Sequence, residues 1–116
     1  MNRWYKQLEK LAVDTRKANT AFFEVNRGDQ RGNPELEKIW NRYDNGVAAI
    51  RGDIAANVRD GTLDKFALSA FDEVVHGLSM TSRRSNNDWI GGDWMNAPSG
   101  CELMGAEAII AAAPAF

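Results

Sequence analysis

The chain has 116 residues, of which 44% are hydrophobic and 26% are charged, and its formal net charge is −2. These values are typical of one soluble globular domain, and the near-neutral charge argues against a nucleic-acid-binding or membrane-surface protein. A single cysteine, Cys101, excludes an intramolecular disulfide and favours a reducing, intracellular setting. No apolar run approaches the length of a membrane span, and the first residues lack the apolar core of a secretion signal.

Residues 4–58 carry two runs of apolar side chains spaced alternately by three and four positions. This spacing is typical of the seam between two packed helices. A polar stretch with two glycines, residues 27–33, separates the runs, and Asn33 and Pro34 suit the start of a helix. We therefore predict helices over about 2–26 and 34–60 that fold into an antiparallel hairpin.

The two runs also predict which residues face each other across the hairpin. The expected pairs are Val25–Leu36, Phe22–Trp40, Ala18–Tyr43, Thr15–Val47, Leu11–Ile50, Leu8–Ile54 and Trp4–Val58. Gly46 and Gly52 lie inside the second predicted helix, where each costs about 1 kcal/mol relative to alanine. We expect these glycines to mark a close approach of the two helices or a kink.

Two further helices are predicted in the second half of the chain. Thr62 is a good cap for a helix over about 63–78, with Gly77 near its end. Ser99 and Glu102 have the spacing of a capping box, which predicts a last helix over about 100–113. The stretch between them, residues 79–98, is predicted to be an irregular loop, and loops of this length are often functional.

This predicted loop carries the candidate partner-binding residues. Residues 85–116 contain four acidic residues and no Lys or Arg, whereas residues 1–31 contain seven basic and four acidic residues. Tryptophan and methionine are enriched at the centres of protein interfaces. Two interpretations stay open, because the tryptophans can either cap the end of the bundle or contact a partner. The candidate partner-binding residues are Arg83, Arg84, Asp88, Trp89, Ile90, Asp93, Trp94 and Met95.

The sequence contains no catalytic or cofactor motif, so we expect a non-enzymatic protein without a cofactor. One histidine and one cysteine are too few for a typical zinc site. Asp72 and His76 lie four residues apart on a predicted helix, which predicts a solvated surface pair. A small enzyme that uses Cys101 or His76 is the enzymatic alternative.

A short, helical, intracellular chain without a cofactor site resembles the small inhibitor proteins carried by bacteriophages, including the anti-CRISPR proteins. The resemblance is one of size and character. It implies stoichiometric binding to a bacterial defence protein, either a CRISPR effector subunit or its recruited nuclease, in the cytoplasm of the host cell.

The prediction as a whole is an all-α, elongated four-helix bundle in one domain that inhibits a larger bacterial protein by binding to it. The sequence favours a monomer and leaves the oligomeric state open. A self-associating structural or adaptor protein is the alternative function.

Overall fold

The computed structural model describes residues 1–90, 103 and 105–116, and the side chains of residues 79–90 lie outside this description. The described helices are α1 (Arg3–Val25), α2 (Pro34–Arg59), α3 (Phe66–Ile90) and α4 (Ala106–Ala111). There is no strand among the described residues, and two long helices pack with the others, which confirms the predicted all-α bundle.

Local capping explains why the first two helices begin where the sequence predicts. The side chain of Asn2 accepts a hydrogen bond from the backbone N–H of Tyr5 at 2.8 Å. The side chain of Asn33 does the same for the N–H of Glu35 at 2.9 Å, and Pro34 occupies the first position of α2. Each cap satisfies a backbone donor that the helix itself leaves unpaired.

The four helices enclose one core. α1 packs on α2 and α4, and α3 packs on α2 and α4, so each helix has two neighbours. The molecule measures 49 × 24 × 21 Å, which agrees with the elongated shape predicted from two helices of about 25 residues. The largest fully buried apolar side chains belong to Tyr43, Phe71, Leu8, Ile54, Leu78, Leu103 and Ile110.

The predicted start of the third helix was wrong by three residues. The carboxylate of Asp64, and not the side chain of Thr62, accepts the hydrogen bond from a free N–H of the first turn, that of Phe66, at 2.8 Å. Thr62 instead lies in the turn after α2, where its N–H donates to Asp60 at 2.9 Å. Gly61 has a φ of 83°, and the N–H of Leu63 donates to the carbonyl oxygen of Asn57 at 3.0 Å, so residues 61–63 belong to the turn that ends α2 and the next helix begins after it.

The predicted irregular loop was also wrong over residues 79–90, because α3 continues to Ile90. Gly77 does not end the helix, since one internal glycine costs only about 1 kcal/mol. No glycine or proline follows until Gly91, so the helix has no strong local reason to stop earlier. The remainder of that predicted loop, residues 91–98, lies outside the described residues.

The last helix is shorter than predicted. Leu103 has a φ of 61° and Gly105 a φ of 77°, and these left-handed conformations cannot belong to a right-handed helix. α4 therefore begins at Ala106 and ends at Ala111, within the predicted range of 100–113. The predicted capping box of Ser99 and Glu102 lies outside the described residues.

One of the two internal glycines of α2 marks a close approach of the helices. A Cβ atom built on Gly46 lies 2.6 Å from Cδ2 of Leu11, whereas a Cβ atom on Gly52 meets no atom within 4 Å. The missing side chain at Gly46 therefore makes room for Leu11 between α1 and α2. Gly52 has no such neighbour.

We expect Gly52→Ala to raise the free energy of unfolding by about 0.5–1 kcal/mol, because it removes backbone freedom from the unfolded chain without a clash. Gly46→Ala should be less stable than Gly52→Ala, because the added methyl group forces Leu11 to move. Urea denaturation of both variants measures the difference, and each is the matched control of the other. Equal stabilisation by the two substitutions would contradict the close approach at Gly46.

Candidate functional site

The predicted partner-binding segment falls largely outside what the structure describes. The five residues whose backbone lies in the last turns of α3 are Arg83, Arg84, Asp88, Trp89 and Ile90. The three that lie outside the described residues are Asp93, Trp94 and Met95. The contact of these eight residues with a partner therefore stays a prediction. Among the described residues, the surface of interest lies between α1 and α2.

This surface is open because the residues of α1 that are buried differ in part from those of the predicted seam. The predicted seam residues that are buried include Leu8, Thr15 and Phe22. At two other seam positions the next residue along the chain is buried instead. Ala12 is fully buried where Leu11 is half-buried, and Asn19 is fully buried where Ala18 is exposed. The last seam residue, Val25, is 80% exposed and does not pack as predicted.

The displacement follows from the position of α4. The guanidinium of Arg16 donates to both carboxylate oxygens of Glu107, at 2.7 and 3.2 Å, and so joins α1 to α4. The hydroxyl of Tyr5 donates to the carbonyl oxygen of Pro114 at 3.2 Å. At 3.6 residues per turn, Tyr5 and Arg16 lie about 140–180° round the helix from Ala18 and Val25. α4 therefore covers one side of α1 and leaves the opposite side to solvent.

Aromatic rings pack together at the end of the molecule where α1 begins. The ring of Phe116 stacks on that of Trp4 with centroids 5.8 Å apart and meets the ring of Tyr5 edge to face at 5.0 Å. The indole N–H of Trp4 donates to the carboxylate of Asp53 at 2.7 Å, and Arg3 lies over the indole ring at 4.4 Å. These contacts tie the start of α1 to α2 and to the residues after α4.

On the uncovered side, α1 and α2 form an open groove with a volume of about 940 Å³. Its apolar lining consists of Leu11, Ala18, Ala21, Phe22, Val25 and Ile39, and polar and charged residues form its rims. Leu11 and Val25 lie 14 residues apart, so the groove is about 21 Å long at 1.5 Å per residue. Apolar surface held in a concave site of this kind is typical of binding sites.

Among the described residues, some charged side chains around the groove have an ion-pair partner and others have none. Asp14 accepts a hydrogen bond from the ammonium of Lys10 at 2.8 Å, and this bond, together with the nearby charge of Lys17, holds the pKa of Asp14 below its ordinary value. On the α2 rim, Lys38 and Arg42 are four residues apart and exposed. Neither of them forms an ion pair within the part of the chain that is described.

The polar pairs elsewhere are structural. Asp72 accepts two hydrogen bonds from Arg51 at 2.8 and 2.9 Å, which joins α2 to α3, so its partner is not the predicted His76. Cys101, the predicted alternative nucleophile, lies outside the described residues. Over the described ranges, no three metal-ligating side chains cluster, and no helix is both long and apolar enough to cross a membrane.

The comparisons with known proteins give no relative. No protein-family model, no curated protein and no solved structure matches the chain.

The sequence could have indicated part of the groove but not its location. Ala18 is a small residue of the predicted seam and Ala21 is a small residue beside it, and Lys38 and Arg42 have the spacing of one helix face. Periodicity alone assigned Ala18 and Val25 to the interior, because it does not say which side of α1 a fourth helix covers.

We expect Glu107→Gln to lower the melting temperature at neutral pH and to have little effect in acid. Arg16 lowers the pKa of Glu107 below its ordinary value of 4.5 by donating a hydrogen bond to the carboxylate. A depressed pKa means that the stabilisation is present above the ordinary value and is lost as the pH falls through the lowered pKa of the folded state. The effect is modest, because the pair is partly exposed to solvent.

Thermal melts of the wild type and Glu107→Gln between about pH 3 and 7 measure this difference. Glu73→Gln is the matched control, since Glu73 is exposed on α3. A difference between wild type and Glu107→Gln that does not shrink in acid would contradict the role of the Arg16–Glu107 pair.

Proposed function

We propose that this chain is a non-enzymatic binding protein that inhibits a larger bacterial protein by occupying its surface. A CRISPR effector subunit or its recruited nuclease is the partner implied by the resemblance to small phage inhibitors. The observation that carries the proposal is the groove between α1 and α2, whose apolar lining is open to solvent at Val25, Ala18 and Ala21.

The geometry of the groove suits the recognition of a protein segment. Two helices side by side offer ridges between which a third helix packs, and recognition of a helix in an apolar groove is a common mode of protein binding. Val25 is 80% exposed at the last position of α1, beside the half-buried Ile39. Covering these side chains removes apolar surface from water, which favours association.

The second candidate function is self-association as a structural or adaptor protein. The same exposed apolar side chains favour it, and Phe66, which is 50% exposed at the start of α3, adds apolar surface at the other end of the molecule. Light scattering over a range of concentrations distinguishes the two functions, because a monomer at high concentration contradicts self-association.

We expect the immobilised chain to capture one larger protein stoichiometrically from a bacterial lysate, and the purified captured protein to lose its activity when an equimolar amount of the chain is added. Ala18→Gln combined with Ala21→Gln should reduce the affinity by at least about tenfold, because the longer side chains fill the groove. Both positions are exposed and glutamine favours helices, so the double variant should fold.

The matched control is Ala108→Gln combined with Ala111→Gln, which makes the same change at two exposed positions of α4, away from the groove. Binding that is unaffected at Ala18 and Ala21 but lost in Trp89→Ala, Trp94→Ala would move the contact to the segment predicted from the sequence. The absence of a captured protein, together with a concentration-dependent dimer, would favour self-association instead.

A further inference from the structure

We infer that the docking of α4 controls the rotation of α1 about its own axis, and that this rotation opens the α1–α2 groove. When α4 leaves, α1 turns toward the predicted seam and the groove closes. This coupling decides whether the groove is open, not which protein it binds, so it is separate from the proposed function.

Helix α1 carries two overlapping sets of residues that suit burial. The residues that both sets share are Trp4, Leu8, Thr15 and Phe22. The observed set, here called the docked setting, also buries Tyr5, Ala12 and Asn19. The set that the sequence predicts, here called the seam setting, also buries Leu11, Ala18 and Val25. At about 100° per residue the centres of the two sets differ by about 50° round the helix, so a small rotation of α1 exchanges them.

The contacts that favour the docked setting come from α4 and from the residues that flank it. Arg16 of α1 donates to Glu107 at 2.7 Å and to the carbonyl oxygen of Leu103 at 3.4 Å. The ring of Phe116 meets that of Tyr5 with centroids 5.0 Å apart. A rotation of about 50° toward the seam setting turns Arg16 and Tyr5 away from α4 and breaks these contacts. The docked setting therefore depends on α4.

Without α4, the seam setting is the better arrangement of α1 on α2. The docked setting buries Asn19, a polar side chain, and leaves Val25 80% exposed. The seam setting returns Asn19 to water and turns Leu11 and Val25 toward α2, where Gly46 already leaves space for Leu11. Burial of apolar surface in place of a polar side chain favours this rotation.

α4 is short enough to detach as a unit. It has six residues, and Gly105 supplies no side-chain cap to its first turn. A helix of this length is not stable in water by itself, so it forms only where it is docked. Leu103, just before α4, has a φ of 61°, which is unfavourable for a residue with a branched side chain. Undocking relieves this strain and so opposes the contacts that hold α4 in place.

The reactivity of single cysteines measures the rotation in the full chain. Cys101→Ser first removes the natural cysteine, so that each introduced thiol reacts alone with a neutral maleimide. Ala18→Cys and Val25→Cys are the groove probes, because both positions are exposed in the docked setting. Lys17→Cys is the matched control probe, since position 17 is exposed and points away from the core in both settings.

Two variants are designed to release α4. Glu107→Arg, Phe116→Ala removes the ion pair with α1 and the ring contacts at the end of the chain, and Ile110→Asp places a carboxylate at a buried position of α4. Faster hydrogen exchange of residues 106–111 reports the release. The matched control is Glu24→Arg, Phe66→Ala, which makes the same two changes at exposed side chains of α1 and α3 and should leave α4 docked.

In both release variants we expect Ala18→Cys and Val25→Cys to react at least about threefold more slowly than in the parent chain, because the seam setting covers them most of the time. Lys17→Cys should keep its rate. Addition of Ala18→Gln to a release variant should restore the rate at Val25→Cys, since a glutamine at position 18 opposes burial against α2. The control variant should react as the parent chain does.

Unchanged or faster reaction at both groove probes, with α4 released and the helical circular dichroism retained, would overturn the coupling. Protection of α4 that persists in both release variants would overturn it as well, because α4 then does not leave separately from the bundle. Should Ile110→Asp unfold the whole chain, the milder Glu107→Arg, Phe116→Ala variant decides. None of these results affects the proposed function, which fails on separate evidence, when no protein is captured and inhibited.

Discussion

Helix α1 has to pack against two neighbours at once, and the arrangement of the molecule depends on how it divides its surface between them. α2 lies along it as the other half of the hairpin, and α4 is held to it by Arg16 and Tyr5. A single stripe of α1 cannot face both helices, so its buried positions move round toward α4 and include Ala12 and Asn19. The side of α1 left over is the one that forms the groove.

This division of the surface has an energetic consequence. The interior gains the small side chain of Ala12, while Leu11 rests half-buried against Gly46 and Val25 stays in water. A helix pair that leaves such side chains exposed keeps apolar surface available for a later association. The same packing that stabilises the bundle through α4 thus leaves an open, partly apolar groove on the other face of α1.

The electrostatic arrangement follows the same separation. The cations that join helices, Arg16 and Arg51, are each held by two hydrogen bonds to a carboxylate. Two such bonds hold the orientation of a guanidinium, so these residues serve the fold. Lys38 and Arg42 lie on the α2 side of the groove and form no ion pair among the described residues.

Local chemistry let the sequence by itself determine the helical class, the hairpin and the start of α2 at Asn33 and Pro34, because caps and periodicity act within a few residues. The prediction from the sequence misplaced the start of α3, because Thr62 and Asp64 both suit a cap. It also misplaced the end of α3, because one glycine, Gly77, is not enough to stop a helix. Only the tertiary structure decided that Ala18 and Val25 face solvent. The reason is physical: which side of a helix is buried depends on where a distant segment packs, and α4 lies about 90 residues further along the chain than the α1 residue it pairs with.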